Sequence, residues 1–204
     1  MKLETRLEVP QRGSRDYLQG GDILRSIFEE FSKHRDTADI ADCRLRFSSL
    51  SHTLPTLLTW PEGEPAPAGA LSARLSIGLR DGERIIGGLR DTGAPLLSRI
   101  EGFERDVNAV TAVDGQTALS APVEGADLIE QIVFTIKFLH NTVLPLKAGR
   151  WAVVEFNLLR YLPREGWGSV AADIESISGN NRITETRVRV GKETIGSVRF
   201  TALV

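Results

Sequence analysis

The sequence predicts an α+β fold built from two copies of one strand–helix–strands unit. Three observations predict it: an internal repeat, two apolar stripes at helical spacing, and long strand-like runs after each stripe. The repeat comes first. Gly20-Gly21-Asp22-Ile23-Leu24 recurs as Gly125-Ala126-Asp127-Leu128-Ile129. Arg44-Leu45-Arg46-Phe47 has a counterpart in Arg150-Trp151-Ala152-Val153, and Ile86-Gly87-Gly88-Leu89-Arg90 in Ile195-Gly196-Ser197-Val198-Arg199. The offsets are 105, 106 and 109, nearly constant and in the same chain order. A near-fixed period is the mark of a repeated structural unit. The expected organisation is a first copy over 1–92, a connector over 93–106 and a second copy over 107–204.

The elements follow in order. Ile23, Leu24, Ile27, Phe28 and Phe31 form one apolar stripe at helical spacing, with Arg25, Glu29, Glu30 and Lys33 on the other face. Asp22 is placed to cap this helix. Strands are expected over 44–50, 70–80 and 84–91. Residues 61–69, rich in Pro, Gly and Ala, read as an exposed loop. The connector is expected to be partly helical through Leu96, Leu97, Ile100 and Phe103. In the second copy, Leu128, Ile129, Ile132, Val133, Ile136 and Leu139 repeat the stripe. Phe134 and Phe138 widen it, so this helix should be buried on more sides, with Asp127 as its cap. Strands then run over 151–161, 169–178, 182–190 and 194–203. Turns at Asp81-Gly82 and Gly179-Asn180-Asn181 predict antiparallel hairpins.

Composition narrows the function classes. Hydrophobic residues make up 41%, enough for a sizeable core, and the net charge of −2 is spread without a basic stripe, so no nucleic-acid surface is indicated. No apolar run reaches the roughly 18 residues of a membrane span, and the opening segment has no apolar signal-like core, so a soluble, cytoplasmic protein is expected. The single cysteine, Cys43, excludes an internal disulfide and a cysteine-based zinc site. It reads as a small buried residue. No metal or cofactor is expected.

A loop, one long apolar helix and several long antiparallel strands, present twice, resembles the hotdog fold in a doubled form. The resemblance rests on element order and repetition over nearly the whole chain. It implies α+β architecture, with antiparallel sheets each wrapped around one long helix, and chemistry on acyl groups carried as thioesters on CoA or acyl carrier protein. The expected activity is thioesterase-like or dehydratase-like, with a non-catalytic ligand-binding protein as the alternative. A homo-oligomer of such double chains is a further expectation. The site implied lies near the helix starts, where unpaired N–H groups can polarise a thioester carbonyl.

The residues at those starts can be compared with the superfamily's motifs. Dehydratases of this fold carry a His before the helix and an acid on it, fourteen positions apart. Arg12 and Ser26 occupy those places in the first copy, Thr117 and Gln131 in the second. The hydratase pattern, an Asp with a His five positions on, meets Gly21 after Asp16. The thioesterase pattern is met in part, by Asp16, Gln19, Gly20 and Gly21 without the following His. Asp16 is therefore the candidate base, with Tyr17 and His52 beside it as catalytic candidates. Gln19, Gly20, Gly21, Arg12 and Arg15 are candidate substrate contacts. His52 is expected on the strand after the first helix. His34 and His140 are expected to end the two helices, where a cation complements the dipole. Glu124, a further candidate substrate contact, is the second copy's loop acid in an otherwise small and apolar segment, Thr117 to Glu124. Ile132, Phe134 and Ile136 are the candidate acyl-chain wall. One working site, in the first loop, is expected.

Overall fold

The computed structural model of the chain describes residues 3–12, 16–96, 99–163 and 166–203. These fall into two compact units, one of residues 1–101 with 157–161, the other of 102–156 with 162–204.

In the first unit, β1 (Leu3–Arg6) and β2 (Gln11–Arg12) precede α1 (Gly20–Ser32). Then come β3 (Ile40–Phe47), β4 (Pro55–Pro61), β5 (Ala73–Leu79), β6 (Arg84–Asp91) and the short β7 (Arg99–Ile100). The five longer strands run in the order β1-β4-β6-β5-β3, each antiparallel to its neighbour, and β2 pairs with β7 in parallel. The apolar stripe of α1 is buried, each of its five side chains at most 3% exposed. Each contributes roughly 1.5–3 kcal/mol. Phe28 meets Tyr161 edge to face, ring centroids 5.1 Å apart. The opposite face is less solvated than its charges suggest: Arg25 and Glu30 are buried. Glu30 accepts from Lys33 at 2.6 Å and stands 3.3 Å from His34. The Lys33 hydrogen bond, then that of His34, outweighs burial and lowers the Glu30 pKa.

The second unit contains α2 (Glu104–Ala109), β8 (Thr111–Asp114), β9 (Thr117–Ser120) and α3 (Leu128–Val143), followed by β10 (Arg150–Leu158), β11 (Val170–Ser178), β12 (Ile183–Val190) and β13 (Glu193–Leu203). Strand order is β10-β13-β12-β11-β9-β8. α3 is buried continuously from Leu128 to Lys137, as the widened stripe predicts. α2 is fastened to it by Lys137, which donates to Glu104 at 2.8 Å, and by Phe103 N, which donates to Glu130 at 3.1 Å.

Several expectations need correcting. α1 starts at Gly20, so Asp22 lies in its first turn and is not the cap; Gln19 holds that position. Asp127 does cap α3, accepting from Glu130 N at 2.9 Å. The connector helix sits further along, at Glu104–Ala109; Leu97 is outside the described residues. Thr117–Ser120 is strand, paired with β11, where a loop was expected. β4 went unforeseen. The units are also wired differently. After the helix, the first unit places its four long strands in the order first, third, fourth, second (β3, β5, β6, β4); the second unit places them first, fourth, third, second (β10, β13, β12, β11). The strand carrying Ile86–Arg90 thus sits third in its row, and the one carrying Ile195–Arg199 second. The first two repeat correspondences fall on equivalent elements; the last does not.

Candidate functional site

The segment before α1 is held by its backbone to the turn before β4. Leu18 N donates to Ser51 O at 2.8 Å, and His52 Nδ1 lies 2.8 Å from the Asp16 carbonyl oxygen. His52 is therefore in an exposed bend and not on a strand, because β3 has already ended at Phe47. Three candidates, Asp16, Tyr17 and His52, come together here. Asp16 is exposed, while Tyr17 is 5% exposed and anchors the segment from inside. Arg15 lies outside the described residues.

The start of α1 has an unusual polar balance. Gln19 adopts the extended backbone of an N-cap (φ −79°, ψ 140°) yet makes no side-chain cap bond. Its side chain is buried, and Nε2 has no hydrogen-bond partner among the described residues. Such a donor costs roughly 1–3 kcal/mol. Ile23 N closes the first helical bond on Gln19 O at 3.1 Å. Helix geometry leaves the preceding amides, those of Gly20, Gly21 and Asp22, outside that ladder. Asp22 accepts from Arg12 Nε at 2.7 Å, both side chains largely buried. Arg12 also donates to Glu101 O at 3.3 Å. Arg12 is thus engaged within its own unit.

The start of α3 is closed. Asp127 caps it, and Gln131, wholly buried, clasps the preceding segment. Its Oε1 accepts from Val123 N at 3.2 Å; its Nε2 donates to Ala121 O at 2.8 Å and to Ser120 Oγ. Glu124 lies exposed in this turn. Ile132, Phe134 and Ile136 are at most 2% exposed, packed in the second unit's core.

The four positions that match the dehydratase pair all have structural partners. Arg12 holds Asp22, and Ser26 donates to Glu8 O at 3.2 Å. Thr117 donates to Asp173 at 2.9 Å, and Gln131 makes its clasp. Sequence reasoning passed over Gln131 as a motif failure. The signal available was an amide in the middle of an apolar helical face, which must find partners there.

His140 is not the helix-end cation expected from its position. Its ring is fully buried, centroids 4.8 Å from Trp151 and 5.1 Å from Phe200. Thr184 and Thr186 hydroxyls lie 3.1 and 3.2 Å from Nε2. Burial pushes its pKa down to about 3, so the ring is neutral. Cys43 is buried and its thiol pKa is raised, chiefly by burial. Among the described residues no three His, Cys, Asp or Glu are grouped to hold a metal ion, and no helix is long and apolar enough to cross a membrane.

No protein-family model and no curated protein matches the chain. Solved structures do. The chain is similar to a candidate thioesterase II from Thermobifida fusca YX (10% identity, 100% of this chain and 92% of that one, TM-score 0.54). It is similar to a trans-AT PKS dehydratase domain from Brevibacillus brevis (10% identity, 100% and 94%, TM-score 0.52). A pyran synthase domain from module nine of the sorangicin pathway also matches (11% identity, 92% and 84%, TM-score 0.50). At these identities the likeness shows the fold alone: antiparallel strands with long helices, the hotdog arrangement.

Proposed function

We propose that the chain is a doubled hotdog protein that binds an acyl thioester, on CoA or acyl carrier protein, at the start of α1. One observation carries this reading: α3 is capped and clasped at its start, whereas α1 leaves its cap position unused and a buried amide nitrogen unpaired. The amides of Gly20 and Gly21, with Gln19 Nε2, are the donors for a thioester carbonyl oxygen. Donors fixed before the charge develops are effective because they need no reorganisation. Asp16 is the candidate base for hydrolysis, with Tyr17 and His52 beside it. The filled dehydratase positions favour thioesterase-like over dehydratase-like chemistry. The structural neighbours named above, a candidate thioesterase among them, support acyl-thioester processing. The first unit's different strand order is then a rearrangement after duplication.

The same positions, together with the missing motif His, favour a second reading: a protein that binds the thioester without turning it over. A panel of acyl-CoA chain lengths separates the two, read by free-thiol release and by calorimetric binding. Turnover lost in Asp16→Asn and kept in Glu124→Gln supports the enzyme reading with its site in the first loop. Turnover lost only in Glu124→Gln moves the site to the second unit. Binding without turnover supports the second reading, and neither binding nor turnover rejects both.

A further inference from the structure

The second unit carries a groove at the end of α3, remote in sequence from both helix starts. It has a volume of about 470 Å³ and lies between the segment leaving α3 and the turn joining β11 to β12. That volume is within the roughly 300–1,000 Å³ range of small-molecule sites. Its wall on one side is apolar, made by Val143, Leu144, Pro145 and Leu146. Lys147 and Arg182 stand at it, both exposed. No Asp or Glu lines the groove, and neither cation has an ion-pair partner among the described residues. Elsewhere in this unit exposed arginines are matched by acids: Arg187 with Glu175 at 2.9 Å, Arg189 with Asp173 at 3.1 Å, Arg199 with Glu185 at 3.0 Å. The groove is therefore a place where apolar surface and uncompensated positive charge coincide.

Two further features decide what kind of anion fits. The helix end here is the carboxyl end, with Leu144 N bonded to His140 O at 2.7 Å. Its partial negative charge opposes a dianion, whereas phosphate sites are built on the opposite helix end. An inorganic ion would also leave the four apolar residues without a partner. A single carboxylate on an alkyl chain uses both halves, its head between the two cations and its chain along the wall.

We infer that this groove binds a medium-chain monocarboxylate, with Lys147 and Arg182 holding the carboxylate and Val143 to Leu146 covering the chain. The inference goes beyond the acyl-thioester reading and does not need it. Calorimetric titration of the full chain with decanoate is the test, with acetate and inorganic phosphate as head-group controls. Decanoate binding is expected at one site in this groove, with affinity about tenfold weaker in Lys147→Gln and in Arg182→Gln, undetectable in the double variant, and weakened by Leu146→Asp. Because all three positions are at the surface or half-buried, thermal melts of the variants should match the parent. Acetate and phosphate should not bind. Gln19→Leu, at the start of α1, should leave the groove's decanoate affinity unchanged. Unaltered decanoate affinity in the double variant overturns the inference. So does phosphate binding as tightly as decanoate, or decanoate binding lost in Gln19→Leu and kept in the double variant, which assigns the ligand to α1.

Discussion

His140 offers a measurable link between burial and pH stability. The folded ring has a pKa of about 3 against an ordinary value of 6.5. Below about pH 6.5 the unfolded chain takes up a proton that the folded chain refuses until near pH 3. The unfolded state then binds more protons, so stability is complete above about pH 6.5 and falls as pH drops toward 3. Between about pH 7.5 and 4.5 the loss from this one ring is on the order of 2–3 kcal/mol. Carboxylates whose folded pKa is lowered, such as Glu30, contribute in the same direction. The ring's share is isolated by comparison with His140→Phe, which keeps an aromatic between Trp151 and Phe200. That variant removes the Nε2 contacts with the Thr184 and Thr186 hydroxyls, so it should be less stable by roughly 1–3 kcal/mol at about pH 7.5. Its stability should fall less steeply with acid, so that the gap closes or inverts near pH 4.5. Urea titrations of both proteins at the two pH values give the answer. Parallel pH profiles for parent and variant would refute the reasoning and mean that the folded ring titrates normally.

Three more outcomes follow from the packing. Asp127→Ala removes the α3 cap and should cost about 0.5–2 kcal/mol in a urea melt, while Asp22→Ala acts through the lost Arg12 pair instead. Gly87→Ala should cost about 1–3 kcal/mol, because a Cβ there would stand 2.8 Å from the Leu58 carbonyl oxygen across the β4–β6 pairing. Cys43 should resist an aromatic disulfide reagent in the native protein and react fully in denaturant; fast native labelling would contradict its burial.

The helices and the later hairpins were legible because their signals are local. The α3 stripe runs without a break from Leu128 to Leu139, and the Gly179-Asn180-Asn181 turn adopts the positive φ values that Gly and Asn tolerate. β4 was missed because Pro55 and Pro61 bracket it and its residues do not alternate: four in a row, Leu57 to Trp60, are buried. Proline is tolerated at strand ends, so the punctuation misled. The surroundings of His140 were invisible for another reason. Trp151 and Phe200 lie on separate strands, Phe200 60 residues further on, and only tertiary packing turns a helix-end histidine into a neutral core residue. The site divides in the same way. The Asp16-to-Gly21 motif is contiguous and could be read, whereas the His52 contact and the Gln131 clasp depend on which segments the fold places together. The third repeat match, Ile86 with Ile195, shows the limit of pattern alone, since equal sequence patterns occupy unequal places in their strand orders.

The unused cap at Gln19 gives the most direct test of whether the start of α1 is kept open for a ligand. Its backbone already has the extended conformation a cap requires. Serine there supplies an oxygen to an unbonded helix amide, worth about 1 kcal/mol. It also removes the buried, unpaired Nε2, relieving roughly 1–3 kcal/mol. Against this stand two lost methylene-sized groups, at about 0.8 kcal/mol each. The balance favours Gln19→Ser by roughly 1 kcal/mol, which for a chain of this size raises Tm by about 2–4 °C. If the donors there serve a thioester carbonyl, the same substitution weakens acyl-CoA binding by removing one donor and occupying another. Stability and binding then move in opposite directions, as expected where a strained, unsatisfied group is retained for function. Differential scanning calorimetry and an acyl-CoA titration on the same preparation read both quantities. A variant that gains stability and binds acyl-CoA as tightly as the parent would show that the open cap has no part in ligand binding. One that loses stability would show that the Gln19 side chain is held by packing worth more than its unpaired amide costs.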